Sequence, residues 1–254
     1  MSIAERPPRI RTLAVAAAAL LAVFALVRWG PEIEVAVLGY QVTGVDVSAH
    51  QGPIDWPALA GSGAAFAYIK ASEGGSHVDP RFKANWRGAK EAGLARGAYH
   101  FFTLCQPGLV QARHFLRTVD ARGELPPAID AEHMGPCRKG PTTDDPAREI
   151  MAFLDEVERV SGERAIVYTT RRFHDAHLKG QLGGEQFWIP SIGAPPQFRR
   201  DAWVFWQFDH SGRRPGVAGP IDLNVYRGSK RRLAAFLNDV AQRDDRSRAT
   251  PPDP

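Results

Sequence analysis

The chain has 254 residues, enough for one large core and a terminal appendage. It is 44% hydrophobic and 24% charged, a globular composition that excludes a disordered, collagen-like or disulfide-dense chain. The net charge of +4 does not describe a basic, nucleic-acid-binding globule, because residues 1–30 hold four Arg against one Glu and leave only +1 to the remainder.

Arg6, Arg9 and Arg11 precede an uncharged apolar run over 13–27, the layout of a secretory signal. No small-x-small cleavage site stands near Gly30, so a cleaved signal and an uncleaved signal anchor are both open. Arg28 and Trp29 suit a membrane interface, and the positive-inside rule puts the N-terminus in the cytoplasm and the rest beyond the membrane. The expected location is the periplasm or cell exterior, with a membrane contact through the N-terminal helix. Residues 31–42 read as a linker and 241–254 as a polar, disordered tail.

Between them apolar runs alternate with amphipathic stretches. Strands are expected over 43–47, 64–70, 95–101, 128–131, 165–169, 186–189, 203–208 and 221–225. Helices are expected over 56–61, 80–92, 108–122, 144–161, 171–178 and 230–242. Asp145–Pro146 and Gly162 bracket one of these with the usual start and stop signals. Alternating strands and helices imply an α/β fold with a parallel sheet closed into a single β/α barrel over 43–240. "PSIGAPPQFRRDA" is too short and Pro-rich for a crossover helix, so the barrel is irregular at its last strands.

"LPPAIDAEH" places Asp130 and Glu132 at a strand end, two residues apart and therefore on one face. Their Cα atoms are then roughly 6–7 Å apart. Glycoside hydrolysis uses two carboxyl groups around a sugar linkage, one protonated and one ionised. Asp46 in the first strand and Asp222 in the last are brought near them when the barrel closes. Taken singly, each Asp more often caps a helix or holds a turn. Crowded together, the four raise one another's proton affinity and keep a general acid available. Tyr99, Tyr168, Trp188 and Trp206 offer flat faces suited to sugars, although core packing is the commoner fate of such rings. Lys70 and Glu73 read as an ion pair at the rim just after a strand, and His100, lacking a nucleophile motif, as structural. Cys105 and Cys137 fit one disulfide in an exported protein; two free thiols are the alternative. Nucleotide, zinc-protease and serine-hydrolase motifs are absent from the sequence.

"GVDVSAHQGPIDW", "AYIKASEG", "FKANWRGAKEAGLARGAYHFF", "PPAIDAEH", "VYTT" and "WQFDHSGRRPGVAGPIDLNVY" follow one another in an order that resembles the glycoside hydrolase family 25 lysozymes, the Chalaropsis-type muramidases. The likeness spans about 43–227. It implies an irregular barrel of five βα units and three further strands. It implies a monomeric N-acetylmuramidase that cuts the β-1,4 bond between N-acetylmuramic acid and N-acetylglucosamine in peptidoglycan glycan strands, with no metal or other cofactor. Carried over by motif, Glu132 is the general acid and Asp130 its partner, while Asp46 and Asp222 complete the acidic pocket. Tyr99, Tyr168, Trp188, Trp206, Gln207 and Asn224 are expected at the sugar site. The "TLCQPG" and "MGPCRKG" segments suit a subgroup with a bridge above the active face. Pro190 and Ser191 depart from the family's pattern after Trp188. Direct attack by a carboxylate and assistance by the substrate's 2-acetamido group are both compatible with the sequence, and the resemblance favours assistance. A barrel that binds peptidoglycan without cutting it, and a glycosidase of chitin-like polymers, are the competing readings.

Overall fold

The computed structural model describes residues 13, 35–36, 38–119, 123–132, 137 and 145–249, with side chains as far as residue 242. The chain divides into two units, Met1–Gly39 and Tyr40–Pro254. Nearly all of the expected signal or anchor lies outside the described residues. Among the described residues no helix is long and apolar enough to cross a membrane.

In the second unit the strands are β1 (Thr43–Val47), β2 (Phe66–Glu73), β3 (His77–Val78), β4 (Ala95–Phe101), β5 (Ala128–Ala131), β6 (Ile166–Thr169), β7 (Phe187–Pro190), β8 (Trp203–Gly212) and β9 (Ile221–Tyr226). The helices are α1 (Trp56–Gly61), α2 (Phe82–Glu91), α3 (Gly108–Thr118), α4 (Pro146–Ser161), α5 (Arg171–Phe173, continued by a π turn over His174–Leu178) and α6 (Lys230–Ala249). The sheet order is β1-β9-β8-β7-β6-β5-β4-β2-β3, and a β1–β2 pairing closes eight of these strands into a barrel. Strands β1, β2, β4, β5, β6, β7 and β8 run parallel, whereas β9 is antiparallel to both β8 and β1. That reversal corrects the expectation of a parallel sheet around the whole barrel. No helix lies between β8 and β9, so the chain returns directly.

Local chemistry explains most boundaries. The Asp145 carboxylate accepts from the Arg148 backbone N–H, Pro146 opens α4, and Gly162 closes it in the left-handed region at φ 72°. Helix α2 begins later than expected. Asp79 is not its cap: its carboxylate accepts from the backbone N–H groups of Ala49 and Arg81, tying the loop after β1 to the end of β3. Strand β2 runs past Lys70 to Glu73 through a bulge, so Glu73 also belongs to the strand rather than following it. Helix α6 continues to Ala249, beyond Gln242, so the first part of the expected tail is helical.

Strand alternation fills the barrel. Phe66, Tyr68, Ala95, Tyr99, Ala128, Ile166, Tyr168, Trp188, Phe205 and Tyr226 form one buried cluster. Two glycines make room for its rings: a Cβ on Gly44 would stand 2.5 Å from the Phe66 ring, and one on Gly97 would stand 2.3 Å from the Tyr68 ring. Alternate residues such as Val45, Ile69, Ile129, Val167 and Leu223 are buried on the outer face.

A candidate active site at the mouth of the barrel

The inward-facing rows end in acids. In β1 the row is Gly44 then Asp46, in β5 Ala128 then Asp130, with Glu132 just past the strand. The antiparallel β9 presents Asp222 at its start, directly opposite Asp46. Cross-strand partners of this kind lie roughly 4.5–5.5 Å apart at Cα. The reversal of β9 is therefore what brings its N-terminal end to the same mouth as the ends of β1 and β5.

The electrostatics show that the four acids act on one another. Burial, opposed by hydrogen bonds from Asn224 and Gln207, pushes the Asp46 carboxyl up to about 6. Asp130 is raised well above the usual range by burial and by the charges of Glu132, Asp46 and Asp222, with Lys70 opposing. Glu132 is raised by burial and then by Asp46. Burial, with Asp46, Asp209 and Glu132, pushes Asp222 up to about 8. At neutral pH the cluster therefore holds protons that isolated carboxyls would have lost. Asp130 Oδ1 is buried with no hydrogen-bond partner among the described residues, an acceptor left for a donor from outside or for a proton.

Tyr99, Tyr168 and Trp188 lie together among the interior rings. Trp188 is stacked on Tyr68 at 4.8 Å between ring centroids, and Tyr168 and Tyr99 meet it edge-on at 5.0 and 6.4 Å. These three of the four expected sugar-binding rings are each at least nine-tenths buried. Gln207 and Asn224 are also buried, and both side-chain amides donate to Asp46 Oδ2, at 2.9 and 2.7 Å. Trp206 is not part of this group. It lies one residue from Gln207 and so on the other face of β8, where it is fully buried beside Tyr40 and Phe208 and donates to the Ser191 carbonyl at 2.6 Å. Pro190 ends β7, and the Ser191 N–H continues the pairing by donating to the Gln207 carbonyl.

Lys70 contacts Glu73 at 2.7 Å and lies over the Phe101 ring at 4.7 Å. It is also the cation felt by Asp130, a role that sequence reasoning missed. The signal was present, since Lys70 has the same parity in β2 as the inward Tyr68. His100 sits on the outer face, hydrogen-bonded to Ser72 and Gln111 and stacked on Phe153 at 5.0 Å; burial pushes it down to about 3, so it is a neutral packing residue. Cys105 and Cys137 form a disulfide with Cα atoms 5.2 Å apart, joining the β4–α3 connection to the segment after Glu132. Among the described residues no group of three or more His, Cys, Asp or Glu side chains is placed to hold a metal ion.

A family model described as glycosyl hydrolases family 25 matches residues 45–217. The chain belongs to glycosyl hydrolase family 25. The uncharacterized protein YegX of Escherichia coli strain K12 is 35% identical over 210 residues, which cover 80% of this chain and 76% of that one. Lysozyme M1 of Streptomyces globisporus is 34% identical over 215 residues, covering 79% and 72% respectively. The crystal structure of a bacterial lysozyme from Streptomyces coelicolor superimposes with a TM-score of 0.69 at 31% identity, covering 80% of this chain and 99% of that one. The match to the family model holds Asp46, Asp130 and Glu132 and stops before Asp222. It is the β1–β9 pairing that sets Asp222 opposite Asp46.

Proposed function

We propose that this family 25 glycosidase is an N-acetylmuramidase that cleaves the β-1,4 bond between N-acetylmuramic acid and N-acetylglucosamine, with Glu132 as general acid. The observation that carries this is the convergence of Asp46, Asp130, Glu132 and Asp222 on one mouth, with proton affinities raised by burial and mutual charge. The names of the lysozyme relatives support the same reading. Glu132 is less deeply set than the neighbouring Asp46, which suits the member that meets the leaving oxygen. Its proton passes to the glycosidic oxygen as the bond to the anomeric carbon lengthens, and positive charge grows on the sugar. Asp46, raised only to about 6 and so ionised near neutral pH, favours that charge in its low-dielectric setting. Asp130 Oδ1, lacking a donor among the described residues, accepts the N–H of the substrate's 2-acetamido group. This contact orients the acetamido carbonyl toward the anomeric carbon and suits substrate assistance.

The protein acts as a monomer on peptidoglycan in the periplasm or at the cell exterior, and residues 1–30 export it, either as a cleaved signal or as an anchor that stays in the membrane. The basic residues before the apolar run support the export, as does the disulfide. Mass spectrometry of purified sacculi treated with the enzyme tests the activity. Muropeptides ending in reducing N-acetylmuramic acid are expected. Fragments ending in reducing N-acetylglucosamine, or no release at all, would overturn the assignment.

A further inference from the structure

Asp46 is held by a belt of side chains that crosses the barrel. The Gln207 and Asn224 amides both donate to its Oδ2, at 2.9 and 2.7 Å. Behind each amide stands a second donor. The Tyr168 hydroxyl donates to Gln207 Oε1 at 3.1 Å, and the Trp188 indole N–H donates to Asn224 Oδ1 at 2.8 Å. Five strands, β1, β6, β7, β8 and β9, supply one member each, and all five side chains are buried.

An amide can turn either end toward a carboxylate, and the two ends have opposite effects. An oxygen facing Asp46 repels a negative charge there, whereas an N–H stabilises it. The two outer donors differ in how firmly they make this choice. A tyrosine hydroxyl donates or accepts, so Tyr168 tolerates both orientations of Gln207. An indole N–H only donates, so Trp188 is satisfied only when Asn224 turns Oδ1 toward it, and that turns Nδ2 toward Asp46. The ring itself is occupied on its faces and edges: Tyr68 stacks on it, Tyr99 and Tyr168 meet it edge-on, and it is only 2% exposed. A sugar has no free face of Trp188 to stack on, so the polar edge of the indole is the part that bears on the acids.

We propose that Trp188 is a positioning residue of the acid cluster, its indole N–H setting the Asn224 amide so that it donates to Asp46 and holds a negative charge there. The consequence for turnover rests on the reading of Glu132 as general acid; the setting of Asp46 does not. The groups that act on Asp46 or respond to it are Asp222 from β9, Asp130 from β5 and Glu132 just past it, Tyr99 from β4 and Tyr168 from β6, with Lys70 from β2 acting on Asp130. The carboxylates among them favour a proton on Asp46, and the two amides oppose it. If Asn224 is released, Asp46 takes up its proton at higher pH. Its repulsion of the Glu132 carboxylate then weakens, and Glu132 gives up its proton at lower pH.

The test is Trp188→Phe in the full chain, which keeps a ring and removes the N–H. Carboxyl carbons of isotope-labelled protein are followed by NMR against pH, and the Asp46 signal is assigned by its loss in Asp46→Asn. The Asp46 midpoint is expected to rise by roughly half to one pH unit, as on weakening one hydrogen bond to a charged group. The alkaline limb of kcat/KM on sacculi is expected to move to lower pH with KM little changed. Benzothienylalanine at position 188, which replaces the N–H by sulfur within the same ring outline, is expected to reproduce both shifts and guards against a packing defect in the Phe variant. An unmoved Asp46 midpoint in the benzothienylalanine protein overturns the proposal, and a raised KM with an unmoved midpoint identifies Trp188 as a sugar wall instead. Full turnover by Glu132→Gln would overturn the general-acid assignment while leaving the Asp46 midpoint result standing.

Discussion

The floor and the mouth of the barrel are built from the same strands and differ in almost every physical respect. In the floor, Phe66, Tyr68 and Phe205 pack ring to ring, with centroids 5.0 Å apart for Phe66–Phe205 and 5.4 Å for Tyr68–Phe205. In the mouth, further along the same barrel, the inward positions carry Asp46, Asp130 and Asp222, which repel one another. The floor is organised by burial of apolar area and supplies stability. The mouth concentrates charge in a partly dry space and spends stability on proton affinity. A single strand such as β1 serves both ends, Gly44 yielding to the Phe66 ring and Asp46 joining the acids. Asp46 and Asp130 thus stand on barrel strands rather than on a flexible loop.

Substitutions at the two ends should separate catalysis from stability. Glu132→Gln removes the proposed acid while keeping its shape. Turnover of sacculi is expected to fall by about 10²–10⁴, the usual contribution of general acid catalysis, with the thermal midpoint unchanged or higher. A variant with turnover within a few-fold of the parent would remove Glu132 from that role. Phe66→Ala at the other end empties a fully buried site and is expected to cost about 3–5 kcal/mol of unfolding free energy by chemical denaturation. Whatever Phe66→Ala protein remains folded should show the parent's pH profile. A displaced profile would mean that floor and mouth are not separable.

How much of this was legible in the sequence follows the same division. The strands and most helix bounds could be read because a period of two, Pro and Gly punctuation and Asp caps are local signals, as at Asp145, Pro146 and Gly162. The Asp-x-Glu pair could be read for the same reason. The direction of β9 could not, since a strand carries no mark of its polarity. Expecting Asp222 at the mouth on the basis of parallel strands reaches the right place by the wrong route, because it is the start of an antiparallel strand that puts it there. Proximity in "FWQF" groups Trp206 with Gln207, although strand parity places them on opposite faces. The bulge after Lys70 hides the continuation of β2 to Glu73, beyond the expected end of the strand. The partnership of Gln207 and Asn224 with Asp46 spans 161 and 178 residues, a separation that only chain closure can bridge.

The smallest effect is the most direct measure of what the mouth costs. Asp222 is raised from 3.8 to about 8 in the folded chain, so the folded form binds a proton more tightly than the unfolded one. The sign follows from linkage: stability from this group is complete below the unfolded value near 3.8 and is lost as pH rises toward about 8. An asparagine side chain is neutral at every pH and close in shape to a protonated aspartic acid. Asp222→Asn is therefore expected to match the parent near pH 4 and to exceed it increasingly up to about pH 8, after which the difference stays level. Because solvent reaches the group and the acids share their protons, the gain is on the order of 1 kcal/mol, or about 2–4 °C in Tm for a domain of this size. Thermal melts of both proteins at a series of pH values measure it. A gain independent of pH would place the effect in packing around β9 rather than in charge, and a loss near pH 8 would mean that Asp222 is held ionised by a favourable partner instead of strained by its neighbours.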